Sequence, residues 1–312
     1  MAAPSDPRDD APPRRASGER LAYALMLISP AMFATNMLVA RATVEIFPPV
    51  ALSFWRWTAT LALMALVLRR SLWTSRTVAR AEWRQLLVLG AIGMGICGAF
   101  VYIGAQTTTA TNLGLIYAAA PVLIILLGRI LFGERLTIVQ GIGVAMSLAG
   151  VLVVILKGSP AALLGLRFTV GDLWTVAAAT GWGFYTVLLK HWPTQLGFNL
   201  RFAWIIVGGL AAMLPFTIAE GILVGTPALT PATLAWIAIL ATVASTGAFQ
   251  TYGLVQRILG PARAGLILYV IPLYTAALAY AFLGERLALH HVLGAALVLP
   301  GIFLATRRPA GA

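Results

Sequence analysis

The chain has 312 residues, 60% of them hydrophobic and only 10% charged, with a mean hydropathy of +0.89 and a formal net charge of +12. A soluble domain carries about 25% charged residues, so a water-solvated globular protein is excluded. The basic residues fall in short connections between apolar runs and read as a topology signal rather than a nucleic-acid surface, and the single Cys97 offers neither a disulfide framework nor a cysteine metal site.

Residues 1–20, rich in Pro, Arg, Asp and Ala, predict a disordered tail. The run 21–40 is too long for a signal-peptide core and lacks a small-residue cleavage site, so it predicts a first transmembrane helix. Runs long enough to cross a ~30 Å hydrocarbon core follow at 49–68, 86–104, 111–132 and 137–156. A second set occupies 171–189, 199–219, 232–253, 262–283 and 288–306. The expectation is an all-α membrane protein of ten transmembrane helices, with connections too short to hold a nucleotide-hydrolysing domain.

Along these spans, Arg56 is the exception to the apolar rule. It lies about two turns into the second helix, where an unsatisfied charge costs at least ~2.5 kcal/mol. It is either a structural arginine bonded to helix-end carbonyls or snorkelling, or a cation for a substrate carboxylate. Gly93-Met94-Gly95-Ile96-Cys97-Gly98 matches the dinucleotide fingerprint G-x-G-x-x-G, but no strand precedes it. Small residues in mid-span instead let helix backbones approach. Pro121 and Pro272 interrupt the fourth and ninth helices and predict paired kinks, as hinges or as static bends. Gly133-Glu134-Arg135 and Gly284-Glu285-Arg286 read as helix punctuation, each Glu near the positive end of the helix that follows it, with gate salt bridges the other reading. No Asp or Glu lies at mid-depth; Asp172, Glu220 and the three histidines, His191, His290 and His291, fall at helix ends. Proton-coupled pumps place such groups within the membrane, so facilitative or weakly coupled transport is expected. The remaining polar and aromatic groups inside spans are candidates for a pocket: Asn36, Tyr102, Tyr117, Trp182, Tyr185, Gln250, Tyr252 and Tyr269. Ser245, Phe249, Tyr252 and Gln256 share one helical face.

The two sets of spans are copies. Gly114-Leu115-Ile116, Pro121, Gly133-Glu134-Arg135-Leu136, Gly143 and Gly150 return 151 positions later as Gly265-Leu266-Ile267, Pro272, Gly284-Glu285-Arg286-Leu287, Gly294 and Gly301. Upstream the offset is 149, pairing Phe33 with Trp182, Asn36 with Tyr185 and Gly98 with Gly247, which puts two extra residues in a loop near 255–261. Arg56 pairs with Ile205, so the copies differ at the charge. Five crossings per copy is odd, so the second copy must insert inverted, as in secondary transporters. With the N-terminus inside, 17 of the 22 Lys and Arg fall on the cytoplasmic side and four on the other, Arg56 being the remaining one. Both termini are expected in the cytoplasm.

Phe33-Ala34-Thr35-Asn36-Met37-Leu38-Val39-Ala40-Arg41, the Arg56 of the second helix, and the Pro followed by Gly-Glu-Arg-Leu in both copies resemble the EamA-type members of the drug/metabolite transporter superfamily. The resemblance implies two inverted five-helix repeats, at 21–156 and 171–306, around a central cavity. A linker at 157–170 and a cytoplasmic tail at 307–312 complete the layout. It implies export of small metabolites across the bacterial inner membrane, and the aromatic cavity set is most similar to YddG-type exporters of aromatic and neutral amino acids. Phosphate and nucleotide-sugar carriers must neutralise a dianion, whereas Arg56 alone is available here, which suits a zwitterion. The alternatives are an exporter of another neutral metabolite or cationic drug and, in a different class, a membrane-embedded lipid-group transferase, for which no clustered acid, base or metal site is evident. The expectation is therefore a transporter rather than an enzyme, without cofactor or metal. Its partners are a small molecule and the lipid bilayer, and ten helices in one chain suffice as a monomer.

Overall fold

The computed structural model describes residues 13–133, 137–158, 169–228, 230–259 and 266–306. Every regular element among them is helical. We number the helices α1 (Pro13–Ala42), α2 (Pro49–Ala81), α3 (Trp83–Ala105), α4 (Ala110–Tyr117), α5 (Ala120–Phe132), α6 (Ile138–Ile155) and α7 (Val170–His191). The remainder are α8 (Phe198–Leu223), α9 (Pro231–Ile239 continuing without a break through Ala248–Leu259), α10 (Leu266–Leu283) and α11 (Leu289–Thr306).

Seven of these helical stretches are long and apolar enough to cross a membrane: Gly18–Ala42, α2, α3, Ala110–Phe132, α6, α8 and Pro231–Val255. Val270–Leu283 and Leu289–Ala305 are shorter apolar helices. The expected sixth span, α7, lies outside these criteria because Asp172, Thr175, Lys190 and His191 lower its hydropathy. Its burial of Asp172, Thr175, Ala178 and Ala179 explains why it needs less apolarity: it faces protein more than lipid.

Two features were not visible as periodicity. In α3 the stretch Ala91–Ala99 is a π-helix, and in α9 so is Leu240–Gly247, at the positions that the duplication makes equivalent. Such wide turns are frequent at functional sites. The expected loop insertion at 255–261 is in part helical, since α9 continues to Leu259; residues 260–261 lie outside the described residues.

The prolines do not behave as a pair. Between α4 and α5 the helix breaks at Ala118–Ala119, and Pro121 occupies the first turn of α5, where its missing N–H costs nothing. Pro272 sits inside the continuous α10. The two prolines therefore sit differently, Pro121 just after a break in its helix and Pro272 within an unbroken one.

Close packing relies on glycine at particular crossings. A Cβ on Gly90 of α3 would lie 2.1 Å from the Gly209 nitrogen of α8. Along α6 and α11, which run antiparallel, Gly143 meets the backbone at Gly301 and Ala305, while Gly150 meets Gly294 and Val298. Ser147 fills the space between by donating to the Val298 carbonyl at 3.2 Å.

One end of the bundle is held by carboxylates at helix N-termini. Glu220 of α8 accepts from Val50 N and Ala51 N at the start of α2, at 3.0 and 2.7 Å. Glu285 accepts from Ala110 N and Thr111 N at the start of α4, at 2.8 and 3.1 Å, and from the Thr111 hydroxyl. The local reading of Glu285 as a cap for its own following helix is thus corrected. It serves α4, 175 residues away, because the chain reversal after α10 brings it over that helix end, where its charge meets the helix dipole. The start of α11 is capped by His291, whose Nδ1 accepts from Ala288 N at 3.0 Å. Glu134 lies outside the described residues.

Candidate functional site

A cavity of about 120 Å³ lies in the middle of the bundle. Its polar wall begins with α2, where the extended Pro48 and the Glu220 cap start a helix that carries Arg56 two turns inward. Arg56 is 5% exposed. Its Nε donates to Ser245 Oγ at 2.7 Å, and Nη1 donates to Asn36 Oδ1 at 2.7 Å and to Tyr102 Oη at 3.1 Å. A longer contact joins Nη2 to the Ala244 carbonyl at 3.4 Å. Ser245 and Ala244 both belong to the π-helical stretch of α9, so the wide turn brings a hydroxyl and a carbonyl to the guanidinium. Tyr102 in turn donates to Asn36 Oδ1 at 2.9 Å, which fixes the amide orientation.

All of these partners are neutral. Among the described residues no carboxylate pairs with Arg56, and its bonds use four of five guanidinium N–H groups. Trp57 lies 4.6 Å beneath the guanidinium carbon and its own buried indole N–H has no partner among the described residues. Both residues line the cavity. A cation and a donor, each removed from water and incompletely satisfied, make this wall complementary to an anionic oxygen.

The other walls are apolar and aromatic. Phe33 and Phe249 approach with ring centroids 5.7 Å apart, Trp182 lies 6.3 Å from Phe249, and Tyr117 lies 6.4 Å from Trp182. Gly93, Cys97 and Gly98 on the π-helical stretch of α3 complete the surface. The glycines of the false nucleotide fingerprint thus have a packing role: a Cβ on Gly98 would meet Ser53 Oγ at 2.4 Å, and one on Gly93 the Tyr185 ring at 2.6 Å.

Of the residues singled out from the sequence, Asn36, Arg56, Tyr117, Trp182 and Pro121 line the cavity. Tyr102 stands behind Arg56, and Tyr185 is buried beneath Trp182 at 5.3 Å. Tyr252 packs edge-on against Phe33, one layer out. Gln250 is displaced from the site: it is exposed and its amide reaches Asn199 at 3.4 Å, because it lies one position beyond Phe249 on the helix and points away. Pro272 is not in the lining, although Leu268 and Ile271 beside it are. The side chains of Tyr269 and Gln256 lie outside the described residues. Trp57, Cys97, Met37 and Ile124 are lining residues that the sequence reading did not select, since in an apolar span each reads as core.

A second polar cluster lies at the carboxylate-capped end. Asp172 is fully buried and accepts from Thr108 Oγ1 at 2.5 Å, Asn112 Nδ2 at 3.1 Å and the Thr169 hydroxyl. Asn112 Oδ1 bonds His291 Nε2 at 3.0 Å. Since His291 Nδ1 accepts from Ala288 N, Nε2 carries the proton and the ring is neutral. Asp172 and His291 lie at helix ends, as the sequence placed them, and the structure buries both, because four helix ends meet there.

A model of the EamA-like transporter family matches residues 20–156 and 169–307, two copies in one chain. An uncharacterised transporter, YyaM, of Bacillus subtilis is 24% identical over 86% of this chain and 88% of its own. A probable terminal-alkyne amino-acid exporter of Streptantibioticus cattleyicolor is 28% identical over 73% of this chain and 74% of its own. A probable amino-acid metabolite efflux pump of Escherichia coli K12 is 30% identical over 58% and 62%. A solved crystal structure at 20% identity, covering 93% of this chain and 96% of that one with a TM-score of 0.57, shares the fold.

Proposed function

This chain belongs to the EamA-like transporter family of the drug/metabolite transporter superfamily, and from that premise we propose that it exports neutral and aromatic amino acids across a bacterial inner membrane. The observation that carries the reading is Arg56: a cation buried beside a cavity, bonded only to neutral groups, next to the unpaired indole N–H of Trp57. A buried charge without a counter-ion costs several kcal/mol, and a substrate carboxylate arriving at Arg56 and Trp57 supplies the missing partner. Trp182, Phe249, Phe33 and Tyr117 then receive the apolar part of the solute. The names of the Streptantibioticus and Escherichia relatives point to the same substrate class. The YddG-type preference for aromatic side chains rests on these rings.

The cavity of about 120 Å³ is smaller than the ~300 Å³ at which pockets for whole ligands begin. Substrate entry therefore requires movement of its walls. We read that movement as alternating access between two inverted five-helix repeats, ten crossings in all. The glycine contacts of α6 with α11 support it: Gly143 meets Gly301 and Gly150 meets Gly294, so each residue faces the counterpart of its opposite number. Both termini are assigned to the cytoplasm from the distribution of Lys and Arg, and transport is assigned as facilitative, by a single chain.

The test is counterflow in liposomes holding the purified protein, with phenylalanine, threonine and methionine as solutes, with and without imposed pH and Na⁺ gradients. Exchange above that of empty liposomes, competed by amino acids but not by their amides, is expected. Exchange that ignores the carboxylate removes the role given to Arg56, and competition by cationic drugs instead would place the chain among drug exporters.

A further inference from the structure

We propose that a groove between α2, α3 and α8, remote from the central cavity, binds an anionic phospholipid. The groove encloses about 750 Å³. It exists because α2 is 33 residues long, about 50 Å of helix against a hydrocarbon core of ~30 Å, so its C-terminal turns leave the membrane interior at the level of lipid headgroups.

Those turns carry the charge. From residue 65 to residue 90 the chain holds Arg69, Arg70, Arg76, Arg80 and Arg84 against one acid, Glu82. Glu82 is turned to other work, accepting from the Thr194 hydroxyl at 2.7 Å and from Gln195 N at 2.9 Å. Arg69, Arg76 and Arg80, seven and four residues apart, line the groove, and Arg70 does not. No carboxylate among the described residues neutralises the three.

The same groove holds aromatic groups suited to a membrane interface. Trp73 and Trp83 are 69% and 53% exposed, far too open for core packing, and both line it. The Arg76 guanidinium stacks over Trp73 at 3.9 Å, which holds the cation at the groove rather than in bulk water. Trp204 is fixed in the opposite wall by its N–H to Ser75 Oγ at 3.0 Å. Below these, the floor is apolar and shallow: at Gly208 a Cβ would lie 2.5 Å from the Leu86 carbonyl, so only glycine permits the approach.

Cations above, interfacial indoles between, and an apolar floor beneath match a phosphodiester headgroup with the first part of its acyl chains. A free phosphate shares the headgroup chemistry but gains nothing from the tryptophans or the apolar floor. The site is a lipid site on that account.

The experiment titrates delipidated full-length protein in detergent with phosphatidylglycerol, phosphatidylcholine or glycerol phosphate and counts retained molecules by native mass spectrometry. One phosphatidylglycerol is expected to be retained in preference to phosphatidylcholine, by about fivefold per arginine engaged. The preference is lost in the R69Q/R76Q/R80Q variant and kept in R70Q, which removes a charge outside the groove. Equal retention of both lipids, or an unchanged preference in the triple variant, overturns the proposal, and displacement by millimolar glycerol phosphate assigns the arginines to a soluble anion instead. Should the triple variant not fold, the wild-type protein still decides. Brominated phosphatidylglycerol must quench tryptophan fluorescence more than brominated phosphatidylcholine, and equal quenching is the negative result.

Discussion

Arg56 and Asp172 are both buried charges held by hydroxyls and amides, yet their surroundings are finished to different degrees. Asp172 accepts from Thr108, Thr169 and Asn112, and Asn112 passes the chain of bonds to a neutral His291 that caps α11. Donors and acceptors there are matched, and none of these residues lines the central cavity. Arg56 keeps an N–H in reserve, lies beside an indole N–H that has no partner among the described residues, and lines the central cavity. A saturated buried charge fastens helices together, whereas an incompletely saturated one retains capacity for a further partner, which is the role proposed for Arg56.

Replacing each charge separates the two roles. Arg56→Gln is expected to lower exchange on the order of a thousandfold, about 4 kcal/mol, in liposome counterflow, with a fall in melting temperature in detergent smaller than that of Asp172→Ala because an incompletely paired buried charge is removed along with its bonds. Arg56→Lys rescues little, because a point charge cannot reproduce the fork that holds Asn36, Tyr102 and Ser245 together. If Arg56→Gln instead unfolds the protein at full exchange per folded molecule, the contrast collapses.

Asp172→Ala is the opposite case. It leaves three donors without their acceptor and should cost about 3 kcal/mol of stability, read as a lowered melting temperature, with the KM of the folded fraction unchanged. Trp57→Phe sharpens the comparison further. It removes an N–H that has no partner among the described residues, so stability should change little while substrate affinity falls roughly tenfold, about 1.4 kcal/mol, in equilibrium binding. The smallest effect is Glu285→Gln, which keeps the shape of the α4 cap and loses its charge, for about 1 kcal/mol in denaturation.

What the chain disclosed in advance follows the range of the physics. Span-length apolar runs and the doubled Gly-Glu-Arg-Leu passage are local signals, and they announced a helical membrane protein with two related halves. Arg56 was legible because a charge in an apolar run is costly wherever it points. Trp57 was not, since its lack of a hydrogen-bond partner is a property of its surroundings rather than of the residue. Asp172 and His291 were legible only as helix-end residues, for they are 119 residues apart and only the folded chain brings them to Asn112. Glu285 failed in the same way, its partners lying 174 and 175 residues upstream. The π-helical turns left no trace in apolar periodicity, yet they put Cys97 and Ser245 at the site.

The crossing of α6 and α11 limits how the molecule can open. Backbone meets backbone at two points about two turns apart, Gly143 with Gly301 and Gly150 with Gly294. A pair of rods bearing on each other at two points can neither slide nor roll without separating, and interiors packed this closely do not deform gradually. On the proposed alternating-access reading, these two helices act as a fixed post about which the cavity walls on α1, α5, α9 and α10 swing.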